Sequence, residues 1–423
     1  MRRPLAPLVV AILGTAPALI LRLGLGADVD YARRVIAWSG GSISGALAAL
    51  IFGVAVLAAA FLISWAAELL QLDVSQNLAI ALIALLAVLP EYSVDMYLAW
   101  TAATRPENAS LALANMTGAN RLLIGLGWPT VALTALWRWK RRVIELEESR
   151  SGEVFILGVA TVYSALLPIK GTLTLFDTVI FLALFAFYIR YVTKQEVIEP
   201  ELGGPAEVIA RLPTRHRRLA TAGLFALAGV TLLWSAEGFA EGLKLTGENL
   251  GVSEFLLIQW IAPLASEAPE FIIVVIFALR GHATAGFGAL VSSKVNQWTL
   301  LVGMVPLVYG AGLMFHGQGF SPMPLDQRQF GELMLTTAQS YFAVVVVFDR
   351  RFRIQEALQL LVLFLAQFGL SVGIEEFVAP GLRERLMAGE KVVFTAIYAV
   401  LGTFWLIHHR RELPKLLRSV MRT

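Results

Sequence analysis

Apolar residues in this chain fall in repeated blocks of about 17–28, the length an α-helix needs to cross roughly 30 Å of hydrocarbon. No other feature narrows the fold so far, because a backbone in lipid must satisfy its own hydrogen bonds and a helix does so within one segment. Composition agrees. With 57% hydrophobic and 15% charged residues in 423, the chain reads as an all-α polytopic membrane protein rather than two or three soluble domains.

Spans are expected over roughly 4–23, 45–70, 77–103, 110–136, 153–169, 171–192, 219–243, 254–279, 284–313, 331–348, 354–374 and 391–408, about twelve in all. The first is read as a retained span, the alternative being a cleaved signal with small residues at Thr15-Ala16-Pro17-Ala18. Basic residues cluster at Arg138–Arg150, Lys194–Arg218, Arg350–Arg353 and Arg410–Arg422. Alternating sides through the spans puts all four clusters on one face, so both termini are expected in the cytoplasm of a plasma (inner) membrane protein. A net charge of +3 carried in short loops gives no sign of a nucleic-acid partner, and zero cysteines removes disulfides and thiolate metal sites. Oligomeric state is not legible.

An internal repeat organises the spans. Ala87-Val88-Leu89-Pro90-Glu91 echoes Ser266-Glu267-Ala268-Pro269-Glu270, and Leu72-Asp73-Val74-Ser75 echoes Leu250-Gly251-Val252-Ser253. Downstream, Leu113–Asn120 parallels Gly288–Asn296 in small residues, and later spans open alike with Gly152-Glu153 and Gly331-Glu332. The two Pro-Glu segments fall on the third and eighth spans, five steps apart, so they cross in opposite directions and the repeats are inverted. The expected organisation is an extra segment over 1–44, a first repeat over 45–193, a connector over 194–218, a second repeat over 219–374, and an extra span with a basic tail over 375–423.

Proline inside a helix removes one backbone hydrogen bond and displaces the carbonyl four residues back. At Pro90 and Pro269 this frees carbonyl oxygens beside Glu91 and Glu270. Carboxylates, carbonyls, amides and hydroxyls are the ligands that hard cations prefer. Glu267 and Glu270 share one helix face by their spacing, as do Glu91 and Asp95. A kink with a protonated glutamate explains one such motif; two in symmetric places favour a site. Asn115, Asn120, Asn296 and Gln297 are candidate ligands from the following helices, though a lone membrane amide more often joins helices. Arg121 and Lys294 are basic residues in those same helices. They are expected to pair with Glu91, Asp95, Glu267 or Glu270, or to act as tethered cations, the alternative being snorkelling toward an interface. Glu68, Glu237 and Glu241 are expected at interfaces or at the rim of an entry pathway.

The paired Pro-Glu segments, each followed by a small-residue helix, resemble the two α-repeats of the calcium/cation antiporter superfamily, which includes sodium/calcium exchangers. LGVSEFLLIQWIAPLASEAPE and GALVSSKVNQWTLLVG are the closer match. The resemblance implies a ten-helix core of two inverted five-helix repeats. It also implies a central site from the second and third helices of each half, and alternating access trading Ca2+ for Na+ or H+. The family's central glutamates map onto Glu91 and Glu270, the metal ligands of this reading. Its second key position maps onto Gln297 beside Asn296 and, after a slightly longer connection, onto Arg121 beside Asn120. Ser266 keeps one of the family's hydroxyls. Ala87-Val88, Glu267, Asp95, Arg121 and Lys294 depart from the pattern by replacing neutral ligands with apolar groups or charges. Those departures favour a single cation site with proton coupling, or another cation, over a set of sodium sites.

The expected function is therefore secondary antiport with no cofactor, inorganic cations as substrates and the bilayer as surroundings. Its rivals are a divergent antiporter for another cation coupled to protons only, and a transport-dead scaffold or sensor with Arg121 and Lys294 filling the site. An intramembrane hydrolase lacks its zinc motif, since no His-Glu-x-x-His occurs.

Overall fold

The computed structural model describes residues 5–25, 45–73, 88–194 and 202–421. Among these, nine helical stretches are long and apolar enough to cross a bilayer. Other expected spans are present as more polar or incompletely described helices. Helix α1 is Ala6–Leu25, α2 Gly45–Leu70 and α3 Leu89–Thr101. The expected span over 77–103 begins within 74–87, outside the described residues, as do the Leu72–Ser75 echo in part and Ala87. Helices α4 (Glu107–Leu122) and α5 (Trp128–Trp139) run on through a π-helical turn at Leu123–Gly127. Their polar residues, including Asn108, Asn115, Asn120 and Arg121, are buried, which lowers hydropathy without exposing charge to lipid.

Strand β1 (Val143–Glu145) leads to α6 (Ser151–Ser164), a short α7 (Leu166–Lys170), β2 (Thr172–Leu173) and α8 (Leu175–Val192). The connector holds α9 (Pro205–Ala210); its last expected residues, 214–218, already belong to α10 (Thr214–Leu250). Then come α11 (Glu254–Leu279), α12 (Ala283–Asn296), a second π-helical turn at Gln297–Leu301, and α13 (Val302–Phe315). The chain continues through β3 (Met323–Pro324), α14 (Gln327–Val346), β4 (Arg351–Arg353), α15 (Ile354–Phe377), α16 (Pro380–His409) and α17 (Leu413–Met421). The two antiparallel ribbons, β1 with β4 and β2 with β3, are small additions to the all-α expectation; Ile144 pairs with Phe352 and Leu173 with Met323.

Packing groups the chain into two units, Met1–Leu98 with Val192–Pro269, and Ala99–Tyr191 with Glu270–Thr423, each drawing on both sequence halves. In the first unit α2 lies against α10 on small residues, as membrane helices do when van der Waals contact drives association. Phe239 seats on Gly53 and Phe52 on Gly238, and a Cβ at Gly242 would stand 2.6 Å from the Ala49 nitrogen. At the water end of this pair, Arg217 grips Asp73 through both carboxylate oxygens, at 2.7 and 2.9 Å. The Arg217 hydrogen bond, with Arg218 also near, holds the Asp73 carboxyl down at about 2.

In the second unit α14 is the hub. It packs on α4, α6 and α16, so the long helix Pro380–His409 seats directly on it. Asp326 caps α14 by accepting from the Gln329 N–H, while the Gln329 side chain accepts from Asp326 in return. Helices α5 and α15 also pack together. Phe364 of α15 lies against Gly125 in the first π turn, where an added Cβ would meet its ring at 2.3 Å.

Candidate cation site

In the first unit, Glu91 stands in the first turn of the described part of α3, directly after Pro90. Glu91 and Asp95, one helical turn apart, are 2% and 0% exposed. Ser93 turns its hydroxyl back to the Pro90 carbonyl at 2.7 Å. Tyr97, further along α3, donates to Glu241 at 3.3 Å, and Lys244 stands 3.5 Å from the same carboxylate. Glu237 pairs with Arg22 of α1 at 3.0 Å, and Glu68 accepts from the Gly203 N–H at 2.8 Å. Glu237 and Glu241, expected at interfaces or at the rim of an entry pathway, are buried and partnered within the first unit.

Helix α11 stays helical through Pro263 and Pro269. Glu267 and Ser266 are buried, and the Ser266 hydroxyl donates to the carbonyls of Ala262 and Pro263 at 3.3 and 3.2 Å. Proline at 269 removes the hydrogen bond that the Ala265 carbonyl would otherwise accept, leaving that oxygen free for a ligand. Glu270, at the start of the second unit's share of this helix, is half-buried.

The second unit carries the amide and basic candidates. Asn115, Asn120 and Arg121 lie on α4 just before the first π turn; Lys294 and Asn296 lie on α12 just before the second, and Gln297 begins it. All six are buried. A π turn re-aims side chains by shifting the helical register, and such turns occur often at functional sites. The Lys294 ammonium donates to Asn120 Oδ1 at 2.5 Å and sits 4.3 Å from the centre of the Trp298 ring. Asn120 passes the bond on, donating its own amide N–H to the Met116 carbonyl at 2.8 Å. The structure thus brings Asn120 and Lys294 together.

Arg121 is paired as expected of a buried guanidinium, and the partner seen is Glu332, at 3.1 Å, which was absent from the expected partners. Lys391 of α16 approaches the other Glu332 oxygen at 3.1 Å. Next to it in sequence, Glu390 accepts from Gln367 at 2.6 Å. On α6, which also packs on α14, Glu153 pairs with Arg150 at 3.0 Å and accepts from Ser292 of α12 at 2.9 Å. Gly152-Glu153 and Gly331-Glu332 stand out in the sequence as matching helix starts, with no chemical role attached. The signal was available, because a buried arginine among small residues requires an anion, and Glu332 is a carboxylate inside an otherwise apolar span.

Among the described residues no three acidic or histidine side chains form a closed metal cage. The first unit supplies buried carboxylates on proline-bearing helices, and the second supplies buried amides on helices that carry π turns.

A family profile described as sodium/calcium exchanger protein matches residues 43–194 and 220–373. The fold superposes on the crystal structure of the H+/Ca2+ exchanger CAX with a TM-score of 0.82, at 39% identity over 97% of this chain and 98% of that one. The structure of native YfkE is similar in fold alone, with a TM-score of 0.55 at 15% identity over 91% of this chain and 100% of that one. A curated relative named as a candidate antiporter, CaxA of Alkalimonas amylolytica, is 29% identical over 28% of this chain, a match that spans only 35% of that protein. Twin Pro-Glu helices in a polytopic helical fold, a profile match across most of the chain, and near full-length likeness to a solved exchanger have one common explanation: this chain belongs to the sodium/calcium exchanger family, within the calcium/cation antiporter superfamily.

Proposed function

We propose that the chain is a secondary active antiporter that exchanges Ca2+ for H+ across the membrane by alternating access, with Glu91 and Glu270 as the carboxylates that take either the divalent ion or protons. The observation that carries this reading is the near full-length, 39% identical likeness to a solved H+/Ca2+ exchanger. The carboxylates on α3 and α11, Glu91 buried and Glu270 half-buried, supply the chemistry it needs. A carboxylate shielded from water binds a divalent ion by charge and, once protonated, becomes neutral, so the same group serves both cargoes in turn. Antiport follows when the protein changes access only with the carboxylates loaded by one or the other. Glu267, Asp95, Ser266, Asn296 and Gln297 are proposed as supporting ligands. Asn120 has its oxygen engaged by Lys294, so its proposed role is to hold that tethered ammonium. Arg121 has an ion-pair partner in Glu332, 3.1 Å away, which supports transport over a scaffold whose site the guanidinium blocks.

The test uses purified protein in vesicles, with Ca2+ uptake driven by an outward proton gradient. Glu91→Gln and Glu270→Gln are each expected to abolish uptake while the protein keeps its elution profile and unfolding temperature. Uptake at the normal rate in either variant would remove that residue from the ligand set.

A further inference from the structure

Outside the helices discussed above, the second unit holds a cleft of about 620 Å³ where three candidate spans end. Its walls come from β1, which precedes the span Glu148–Lys170, from the turn before Ile354–Phe377, and from the residues closing Pro380–His409 and starting α17. The cleft therefore lies at a membrane–water boundary. Five arginine and lysine side chains line it against three carboxylates.

The carboxylates are already taken. Glu145 pairs with Arg351 at 3.2 Å and Glu412 with Lys415 at 2.8 Å, while Asp349 pairs with Arg353. Two positive charges are left over. Arg350 reaches only to 3.6 Å from Glu148, at the edge of ion-pair distance, and Arg411 has no ion-pair partner among the described residues. Backbone geometry adds a second observation. Arg350 adopts a left-handed conformation, φ 60°, rare for a residue with a side chain and costing roughly 1–2 kcal/mol. The turn is fixed by Asp349, which accepts from the Arg351 N–H at 3.0 Å, and by the Arg350 carbonyl, which accepts from the Leu146 N–H at 2.7 Å. Strain retained at a loop of arginines lining a cleft points to a function for the turn.

We infer that this cleft binds a phosphate-bearing anion, through Arg350 and Arg411. Guanidinium groups match phosphate oxygens in pairs, and basic pockets between helix ends at a membrane face are where anionic headgroups are held. The ligand chemistry is shared by an anionic phospholipid and a soluble phosphate ester, and the position at the boundary favours the lipid. Helix α17 lies beside the cleft, with Leu416 buried and Lys415 and Arg418 exposed, and it packs on α6. Occupancy would thus tie the end of the last span to the helix that carries Glu153.

The experiment is native mass spectrometry on the full chain in detergent, titrated with phosphatidylglycerol, phosphatidylcholine or glycerol phosphate. Wild-type protein is expected to retain phosphatidylglycerol over phosphatidylcholine. The double variant Arg350→Gln with Arg411→Gln should weaken that retention on the order of tenfold or more, the loss of one charge-assisted contact or its equivalent. Glu412→Gln, which removes a competing carboxylate, should tighten it. Glycerol phosphate binding that the double variant abolishes would support the site with a soluble ligand as its source. Equal phosphatidylglycerol retention in the wild type, the double variant and Glu412→Gln, with no glycerol phosphate bound, would overturn the assignment.

Discussion

Glu332 and Glu153 both follow a glycine near the start of a helix in the same packing unit, and both are 3% exposed, yet their charges are balanced in opposite styles. Glu332 joins two cations sealed from water, Arg121 and Lys391, whose side chains are 1% and 4% exposed. Glu153 meets one arginine that keeps 23% of its side chain in contact with the surroundings, plus the Ser292 hydroxyl. The glycines fit these roles: Gly331 leaves room for the Lys391 stem, and Gly288 on α12 leaves room for Arg150. A sealed cluster relaxes poorly when one member is lost, because the remaining charges have no water to turn to and only fixed neighbours such as the buried Glu390 nearby. A cluster with one foot at the boundary relaxes more freely. The first therefore fixes α4, α14 and α16 against one another, while the second holds α6 to α12 more loosely.

The largest effect is expected for Glu332→Gln, which takes from Arg121 and Lys391 the carboxylate that both approach at 3.1 Å. It should cost roughly 3–5 kcal/mol in denaturant unfolding of the solubilised protein. Glu153→Gln should cost less, about 1.5–3 kcal/mol, since Arg150 can turn outward. Equal losses in the two variants would break the comparison. Ser292→Ala removes a hydroxyl and no charge, so about 1 kcal/mol is expected; a loss as large as that of Glu153→Gln would mean that the hydroxyl, not Arg150, holds the carboxylate.

The Asp73–Arg217 clasp, at the water boundary of the other unit, sets the lower end of the scale. Its arginines favour the ionised carboxylate, so the folded value of about 2 lies below the ordinary 3.8. The stabilisation is present above about pH 4 and is lost as pH falls through about 2. The unfolding difference between wild type and Asp73→Asn should accordingly shrink over that window and stay flat above it. A difference that grows on acidification would contradict the pairing.

The fold class was legible because apolar length and basic loops are one-dimensional signals. The Pro-Glu motifs were legible because proline and glutamate are conspicuous inside apolar runs. The partner of Arg121 was not, since Glu332 lies more than two hundred residues away and only packing brings α14 to α4. Nor was Lys391, which comes from a helix read as an addition to the core and proves to share that core's sealed charge. The π turns left no mark in hydropathy, because a one-residue change of register alters aim without altering composition. Asn120 and Lys294 each drew attention singly; their contact did not, as each appeared to belong to its own repeat.

The central claim is the exchange of Ca2+ for H+, and its most direct measurement is radiolabelled Ca2+ uptake into vesicles under an imposed proton gradient, compared with an imposed Na+ gradient at constant pH. The account predicts uptake driven by the proton gradient, collapse of that uptake with a protonophore, and none driven by Na+ alone. Uptake driven by Na+ at constant pH, with no response to the proton gradient, would contradict it.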